Sequence, residues 1–177
     1  VGFMLITHVI IMLGVQKGIE RSSKLMMPML FVILLVLCGR SISMDGGMEG
    51  LKFLFTPDFS KVTSQTFLNA VGQSFFSISA GLGCMIVYAS YFSDSTKIGS
   101  TAVSVALIDT FVAVLAAVMI FPAVFSVGIQ PTAGPSLVFI TLPNILNTLS
   151  FSWLWSTIFF LLLALAALTS TISIHEV

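Results

Sequence analysis

The chain has 177 residues, of which 57% are hydrophobic and 8% are charged, and its mean hydropathy is +1.11. Soluble domains carry about 25% charged residues, and so few charges cannot cover a water-soluble core of this apolarity. This excludes a cytoplasmic globular enzyme, a nucleic-acid binder and a disordered tail. Seven basic and seven acidic side chains balance, so no net charge attracts polyanions. The sequence therefore predicts an integral membrane protein.

Runs of roughly 20 apolar residues, the length needed to cross the hydrocarbon core, predict five membrane-spanning helices. One is partial and four are full, and they cover residues 1–13, 24–39, 67–92, 98–125 and 151–177. The first run is under way at residue 1 without the charged lead of a signal peptide, and the last is still apolar at residue 177. We therefore expect residues 1–177 to be a single all-α transmembrane fragment of something larger.

Basic side chains set the predicted orientation. Loop 14–24 carries three basic residues and one acid, so the positive-inside rule places it in the cytoplasm. Alternation then places outside the two long predicted loops that are rich in glycine and proline, 41–66 and 126–150. Trp153 and Trp155 begin the fifth span at the outer interface, where aromatic side chains are enriched.

Asp109 lies near the middle of the fourth predicted span. A carboxylate at the bilayer centre costs about 2.5–3.5 kcal/mol on insertion scales, and the sequence places no Lys or Arg at the same depth to offset that cost. A bound cation or a proton would offset it, which indicates an ion site. A neutral Asp109 hydrogen-bonded to a neighbouring helix is the alternative.

The third predicted span has a polar face followed by weak helix formers. Gln73, Ser77 and Gly81 recur every four residues on one face, and the run Ala-Gly-Leu-Gly at 80–83 has two residues of low helix propensity. If the helix breaks here, its freed carbonyl groups can coordinate a cation and its freed N-terminus can face a carboxylate. Close helix packing through small residues is the alternative.

One stripe of the fifth predicted span offers a small gap and two hydroxyl groups, at Ala166, Thr169 and Ser170. Oxygen ligands suit a hard ion. Hydrogen bonds from these hydroxyls to carbonyl groups of their own helix are the alternative. The sequence contains no nucleophile–base set, CxxC pair, HExxH motif or P-loop. We therefore expect no enzyme activity and no organic cofactor.

Six motifs occur in order along the chain, namely GVQKGIER at 14–21, FLFTPD at 53–58, AVGQSFFS at 70–77, YASY at 88–91, FITLP at 139–143 and LTS at 168–170. Together they resemble the neurotransmitter:sodium symporter family, specifically its bacterial amino-acid transporters. The resemblance covers essentially the whole chain. It implies a partial inverted-repeat transporter fold, in which this chain supplies about the fourth to eighth helices and a helix is broken at the bilayer midplane near 79–83.

The resemblance also implies which residues bind ions and substrate. A first sodium ion would bind Ser77 and Asp109, and a second would bind the carbonyl oxygen of Ala166 and the hydroxyl groups of Thr169 and Ser170. The amino-acid substrate would contact residues of the broken helix and of the fifth span, namely Phe76, Ser79, Ala80, Gly81, Leu82, Gly83, Ser170 and Ile174.

Four residues have gating roles on the same resemblance. Phe76 would close over the bound amino acid, and Tyr91 would belong to the cytoplasmic closure. Gly18 and Pro28 match a spaced pair that lets the second predicted span unwind and admit water to the second sodium site.

At two positions, both relevant to chloride binding, the residue differs from the one found in many members of the family. Asp109 stands where many relatives have Asn, and Ala113 stands where chloride-dependent members place a serine. A fixed carboxylate supplies the negative charge that chloride would otherwise provide, and alanine removes a chloride ligand. The resemblance therefore implies chloride-independent transport, with proton counter-movement through Asp109 as an open question.

The implied function is sodium-coupled symport of a neutral, hydrophobic amino acid across the cell membrane by alternating access. The expected partners are co-transported sodium ions, the amino acid, the lipid bilayer, the other helices of the same transporter and a second copy in a homodimer, but no nucleic acid. In the family, the transporter's first helix supplies further ligands to both sodium ions, and the resemblance does not place that helix among those of this chain. We therefore expect the 177 residues alone not to transport. A non-transporting remnant or a structural membrane subunit is the alternative.

Overall fold

The computed structural model describes residues 1–128 and 136–177, and no strand occurs in these ranges. Their α-helices are α1 (Gly2–Met12), α2 (Arg21–Ile42), α3 (Gly47–Phe55), α4 (Ser64–Ser77), α5 (Cys84–Ser90), α6 (Ile98–Ser126), α7 (Leu142–Asn147) and α8 (Ser152–His175). Two π-helical segments, Val15–Glu20 and Leu137–Thr141, lead into α2 and α7, and a 3-10 turn, Phe59–Lys61, precedes α4.

Three long apolar helices and one shorter one occupy four of the five predicted spans. Within the described ranges, three segments are long and apolar enough to cross a membrane, namely Gly18–Ile42, Ile98–Ser126 and Ser152–His175. Helix α1 is apolar but shorter and lies in the first predicted span, which the sequence predicts to be partial. The helical composition and these apolar spans confirm the predicted all-α membrane class.

The described residues pack as two compact units. The first contains Val1–Ser23, Asp58–Val112 and Leu168–Val177, and the second contains Lys24–Pro57 and Ala113–Ala167. Three of the unit boundaries fall within α2, α6 and α8, and the fourth falls between α3 and the 3-10 turn. The first unit therefore holds the residues predicted to bind substrate and most of those predicted to bind sodium, whereas Ala166 belongs to the second.

The third predicted span is interrupted, because α4 ends at Ser77 and α5 begins at Cys84. The backbone between them takes positive φ angles of 53° at Ser79, 89° at Gly81 and 85° at Gly83. Side chains disfavour this left-handed region, which glycine enters freely. The predicted break near 79–83 is confirmed.

A Schellman motif ends α4 at this break. The amide of Ser79 donates to the carbonyl oxygen of Phe76 at 3.1 Å, and the amide of Ala80 donates to that of Phe75 at 2.9 Å. These are the two backbone bonds that close a helix through a left-handed residue. That residue is Ser79 and not one of the glycines, so the helix stops earlier than the glycines alone predict.

A capped turn precedes α4. Asp58 accepts hydrogen bonds from the amide and hydroxyl of Ser60, and its carboxylate lies 3.1 Å from the Lys61 ammonium. The Ser60 hydroxyl, followed by Lys61, lowers the pKa of the Asp58 carboxyl. Thr63 and Thr66 then exchange side-chain and backbone bonds in a capping box. The start of α4 is therefore fixed by local sequence.

The two predicted outside segments contain short helices. Helix α3 lies within 41–66, and α7 with its π-helical lead lies within 126–150, whereas residues 129–135 of the second segment lie outside the described part of the chain. The turn residues that suggested loops do not predict these helices. Helix α7 forms because Leu142, Ile145 and Leu146 are buried within the second unit.

Helix α3 packs closely against the end of α6 within the second unit. The Phe53 ring lies 5.6 Å from the ring of Phe121 and 5.1 Å from that of Phe125, measured between centroids. Gly50 brings the two backbones together, since a Cβ atom there would fall 2.6 Å from the Pro122 Cα atom. Only a residue without a side chain allows this approach.

Gly50→Ala is expected to destabilise the second unit by about 1–3 kcal/mol, because the added methyl overlaps backbone that cannot move aside cheaply. The measurement is the melting temperature of the detergent-solubilised full-length protein. Gly39→Ala in α2 is the matched control, since nothing lies within 4 Å of its added Cβ and alanine favours a helix. Equal melting temperatures for the two variants would contradict the close packing.

Candidate ion and substrate site

The structure brings Ser77 and Asp109 into direct contact within the first unit. Ser77 is the last residue of α4, Asp109 lies in α6, and the Ser77 Oγ atom donates to Asp109 Oδ2 at 2.6 Å. This is a typical length for a hydroxyl donating to a carboxylate. The hydroxyl proton is committed to Asp109, so the oxygen lone pairs of both side chains are acceptors. Such a pair of oxygen groups can bind a hard cation.

The residues predicted to contact substrate surround the break between α4 and α5. Ser79, Ala80 and Gly83 are half-buried, and Gly81 is exposed. Two large apolar side chains are more open, because Phe76 is 77% exposed and Leu82 is 57% exposed. The end of α4 and the break itself therefore each present an exposed apolar side chain that a ligand can cover.

The residues predicted for a second ion lie within about one turn of α8. Ala166 and Thr169 are half-buried, and Ser170 is exposed. Ile174, also exposed, follows Ser170 by one turn and so lies on the same face of the helix. Helix α8 thus presents a hydroxyl and an apolar side chain together on the surface predicted to bind substrate.

Tyr91 contacts an acidic residue near the end of α8. Its hydroxyl donates to Glu176 Oε1 at 2.8 Å, and both residues belong to the first unit. Glu176 has no role predicted from the sequence. The sequence feature that could have drawn attention to Glu176 is that it is the only acidic residue after Asp109 in the whole sequence.

Gly18 lies in a π-helical segment, and Pro28 lies inside the continuous helix α2. Gly18 is buried in the π-helical segment Val15–Glu20, and a Cβ atom there would overlap the Ile10 carbonyl oxygen. Pro28 lies inside α2 and lacks the N–H that a helix interior uses. Both residues lie in the first part of the apolar segment Gly18–Ile42.

Comparison with known proteins gives consistent matches over nearly the whole chain. It is 43% identical over 175 residues to a sodium-dependent transporter of Haemophilus influenzae, covering 99% of this chain and 38% of that protein. It is 43% identical to the sodium-dependent transporter YhdH of Bacillus subtilis, covering 99% and 39%. The sodium-dependent serotonin transporter of Drosophila melanogaster is 31% identical, with 92% and 28% covered.

A solved structure confirms the predicted transporter fold. The crystal structure of MhsT in complex with L-phenylalanine matches this chain with a TM-score of 0.85 and 45% sequence identity, covering 98% of this chain and 40% of MhsT. The chain therefore spans about two fifths of the length of these bacterial proteins. The sequence profile described as the Sodium:neurotransmitter symporter family matches all of residues 1–177. With every part of its length matched, the chain belongs to the sodium:neurotransmitter symporter family.

Proposed function

We propose that this chain supplies the fourth to eighth helices of a sodium-coupled symporter, which moves a neutral, hydrophobic amino acid across the cell membrane by alternating access. The observation that carries the proposal is the 2.6 Å hydrogen bond between Ser77 and Asp109. It joins, across the sequence, the two side chains assigned to one ion. Loop 14–24 faces the cytoplasm on this proposal.

Sodium binds at this pair because Asp109 supplies the negative charge and Ser77 supplies a neutral oxygen ligand. The carboxylate of the amino acid completes the first site, so that substrate binding requires the ion. Ala166, Thr169 and Ser170 on α8 contribute the second ion site. Sodium entering down its gradient then drives the uptake of the amino acid.

The substrate is a hydrophobic amino acid. Three large apolar side chains assigned to substrate are exposed, namely Phe76 in α4, Leu82 in the break and Ile174 in α8. MhsT, which is 45% identical, is crystallised with L-phenylalanine, and this supports the same substrate class. Burial of an apolar side chain against these three residues would provide the binding energy.

Transport is independent of chloride on this proposal. Asp109 carries a fixed carboxylate, and Ala113, one turn further along α6, has no oxygen atom in its side chain. The charge that balances sodium therefore belongs to the protein. Removal of chloride should leave uptake unchanged.

Tyr91 and Glu176 form the cytoplasmic closure in this mechanism. Their 2.8 Å hydrogen bond joins the residue after α5 to the end of α8. Release of this bond accompanies opening towards the cytoplasm, when the ions and the amino acid leave together.

The variant Thr169→Ala with Ser170→Ala should raise the sodium concentration for half-maximal uptake by about tenfold, equivalent to ~1.4 kcal/mol, because two oxygen ligands are lost. Uptake of labelled amino acid into proteoliposomes, titrated with sodium, measures this. Thr157→Ala removes a hydroxyl from the same helix, where it donates to the Trp153 carbonyl at 2.7 Å, and should leave the titration unchanged. An unshifted double variant would overturn the assignment of these two residues.

A further inference from the structure

Ser173 of α8 is contacted by two side chains of α5 within the first unit. The Tyr88 hydroxyl lies 2.9 Å from Ser173 Oγ, and the Cys84 thiol lies 3.5 Å from the Ser173 carbonyl oxygen. Cys84 is 5% exposed, so this contact is closed to solvent on the Cys84 side. Ser173 is therefore one point at which α5 is held against α8, beside the Tyr91–Glu176 bond.

The direction of these hydrogen bonds follows from the single proton of the Ser173 hydroxyl. Ser173 Oγ donates to the Thr169 carbonyl oxygen at 3.0 Å. Since that proton is used, the hydroxyl of Tyr88 must be the donor in its contact with Ser173. The result is a directed series of hydrogen bonds, in which Tyr88 donates to Ser173 and Ser173 donates to the backbone carbonyl of Thr169.

This series ends at a residue of the proposed second sodium site. A serine that donates to the carbonyl four residues earlier adjusts the geometry of that helical turn, and a hydrogen bond donated to the serine strengthens the one that it donates. The turn in question carries Thr169 and Ser170, whose hydroxyls are the proposed ion ligands. The Tyr88 hydroxyl is thus in a position to set their geometry.

We propose that Tyr88 is a positioning residue that couples the second sodium site to the docking of α5 on α8. Tyr88 orients the turn that carries Thr169 and Ser170, and a sodium ion bound to that turn in return holds α5 in place, because coupling between two sites is reciprocal. Helix α5 follows a break with three left-handed residues, so it depends on such contacts for its position. The inference rests on the proposed function.

Cys84 provides a direct measure of this docking, since its thiol is buried in the same contact. In the full-length transporter, the rate at which a methanethiosulfonate reagent labels Cys84 is followed by mass spectrometry of its peptide, in sodium and in potassium. Sodium should slow wild-type labelling by about tenfold, a coupling of ~1.4 kcal/mol. Tyr88→Phe and Ser173→Ala should each remove most of this protection, and their combination should do no more than either alone.

Two controls separate coupling from general loosening. Ser90→Ala removes another hydroxyl of α5, which donates only along its own helix to Val87 at 2.6 Å, and should retain the sodium protection. Cys38, buried in the second unit beside Leu115, should label at the same rate in every variant. An increase in labelling at both cysteines would signal unfolding, and the sodium titration of uptake by Tyr88→Phe then decides. A raised half-saturating concentration with the maximal rate retained supports the proposal, and an unshifted one overturns it.

The remaining outcomes distinguish this inference from the function on which it rests. Full sodium protection in both Tyr88→Phe and Ser173→Ala would overturn the coupling. Wild-type labelling that sodium does not slow, in a preparation whose uptake requires sodium, would also overturn the coupling but leave the proposed function intact. Uptake that does not depend on sodium would overturn both.

Discussion

Asp109→Ala is expected to abolish sodium-dependent uptake by the full-length transporter. The substitution removes the carboxylate that Ser77 contacts at 2.6 Å and with it the negative charge of the proposed first ion site. If the lost ion–carboxylate contact contributes about 1.5–3 kcal/mol, the range for a hydrogen bond to a charged group, sodium affinity falls roughly 10–150-fold. Sodium titration of labelled amino-acid uptake in proteoliposomes measures the effect.

Thr110→Val is the matched control for Asp109→Ala. Thr110 is the next residue along α6, and its hydroxyl donates to the Ala106 carbonyl of the same helix at 2.8 Å. Valine keeps the side-chain shape and removes only this local bond, so uptake and its sodium dependence should be retained. Sodium-driven uptake by Asp109→Ala at the wild-type half-saturating concentration would show that the carboxylate does not bind the ion.

Asp109→Asn combined with Ala113→Ser is expected to make uptake dependent on chloride. The amide removes the fixed negative charge, and the serine adds a hydroxyl donor one turn away on the same helix. A bound chloride ion can then supply the missing charge next to the sodium ion. We expect replacement of chloride by gluconate to reduce uptake by the double variant about tenfold, consistent with a charge interaction of ~1.4 kcal/mol.

The single variants identify which substitution is responsible. Ala113→Ser alone keeps the Asp109 carboxylate, so its uptake should remain independent of chloride. Asp109→Asn alone lacks both the charge and the added ligand, so its uptake should be weak in either anion. Uptake by the double variant that is strong and insensitive to gluconate would contradict the role of Asp109 as a replacement for chloride.

Much of the helical arrangement is predictable from composition and local propensity. Long apolar runs identify α2, α6 and α8 because each is hydrophobic around its full circumference. The break after α4 is indicated by Gly81 and Gly83, whose φ angles are positive in the structure. The position of Ser79 in the Schellman motif is less predictable, because serine enters the left-handed region only where the surrounding structure favours it.

The contacts made by α5 are the part that local patterns do not predict. Tyr88, Tyr91 and Cys84 contact residues more than 80 positions away in the sequence. No periodicity within one helix indicates which residue of a distant helix will face it. Ser173 illustrates the limit, since its sequence context indicates only a hydroxyl in an apolar helix. In the same way, a role for Glu176 can be proposed only because the structure shows its hydrogen bond with Tyr91.

The pairing of Ser77 with Asp109 lies between these cases. The sequence places a carboxylate at membrane depth and a hydroxyl on the polar face of a helix that breaks, and both features indicate an ion site. That the two side chains meet follows only from the resemblance to a family until the structure gives the 2.6 Å contact. The cost of an isolated carboxylate is the physical reason for expecting some partner.

The most direct test of the account is the accumulation of labelled neutral amino acids, including L-phenylalanine, in proteoliposomes that contain the full-length transporter. An inward sodium gradient is compared with an equal potassium gradient, with gluconate as the only anion. We expect at least one hydrophobic amino acid to accumulate above its external concentration, only in sodium and without chloride. Equal uptake of every amino acid in sodium and potassium would contradict it.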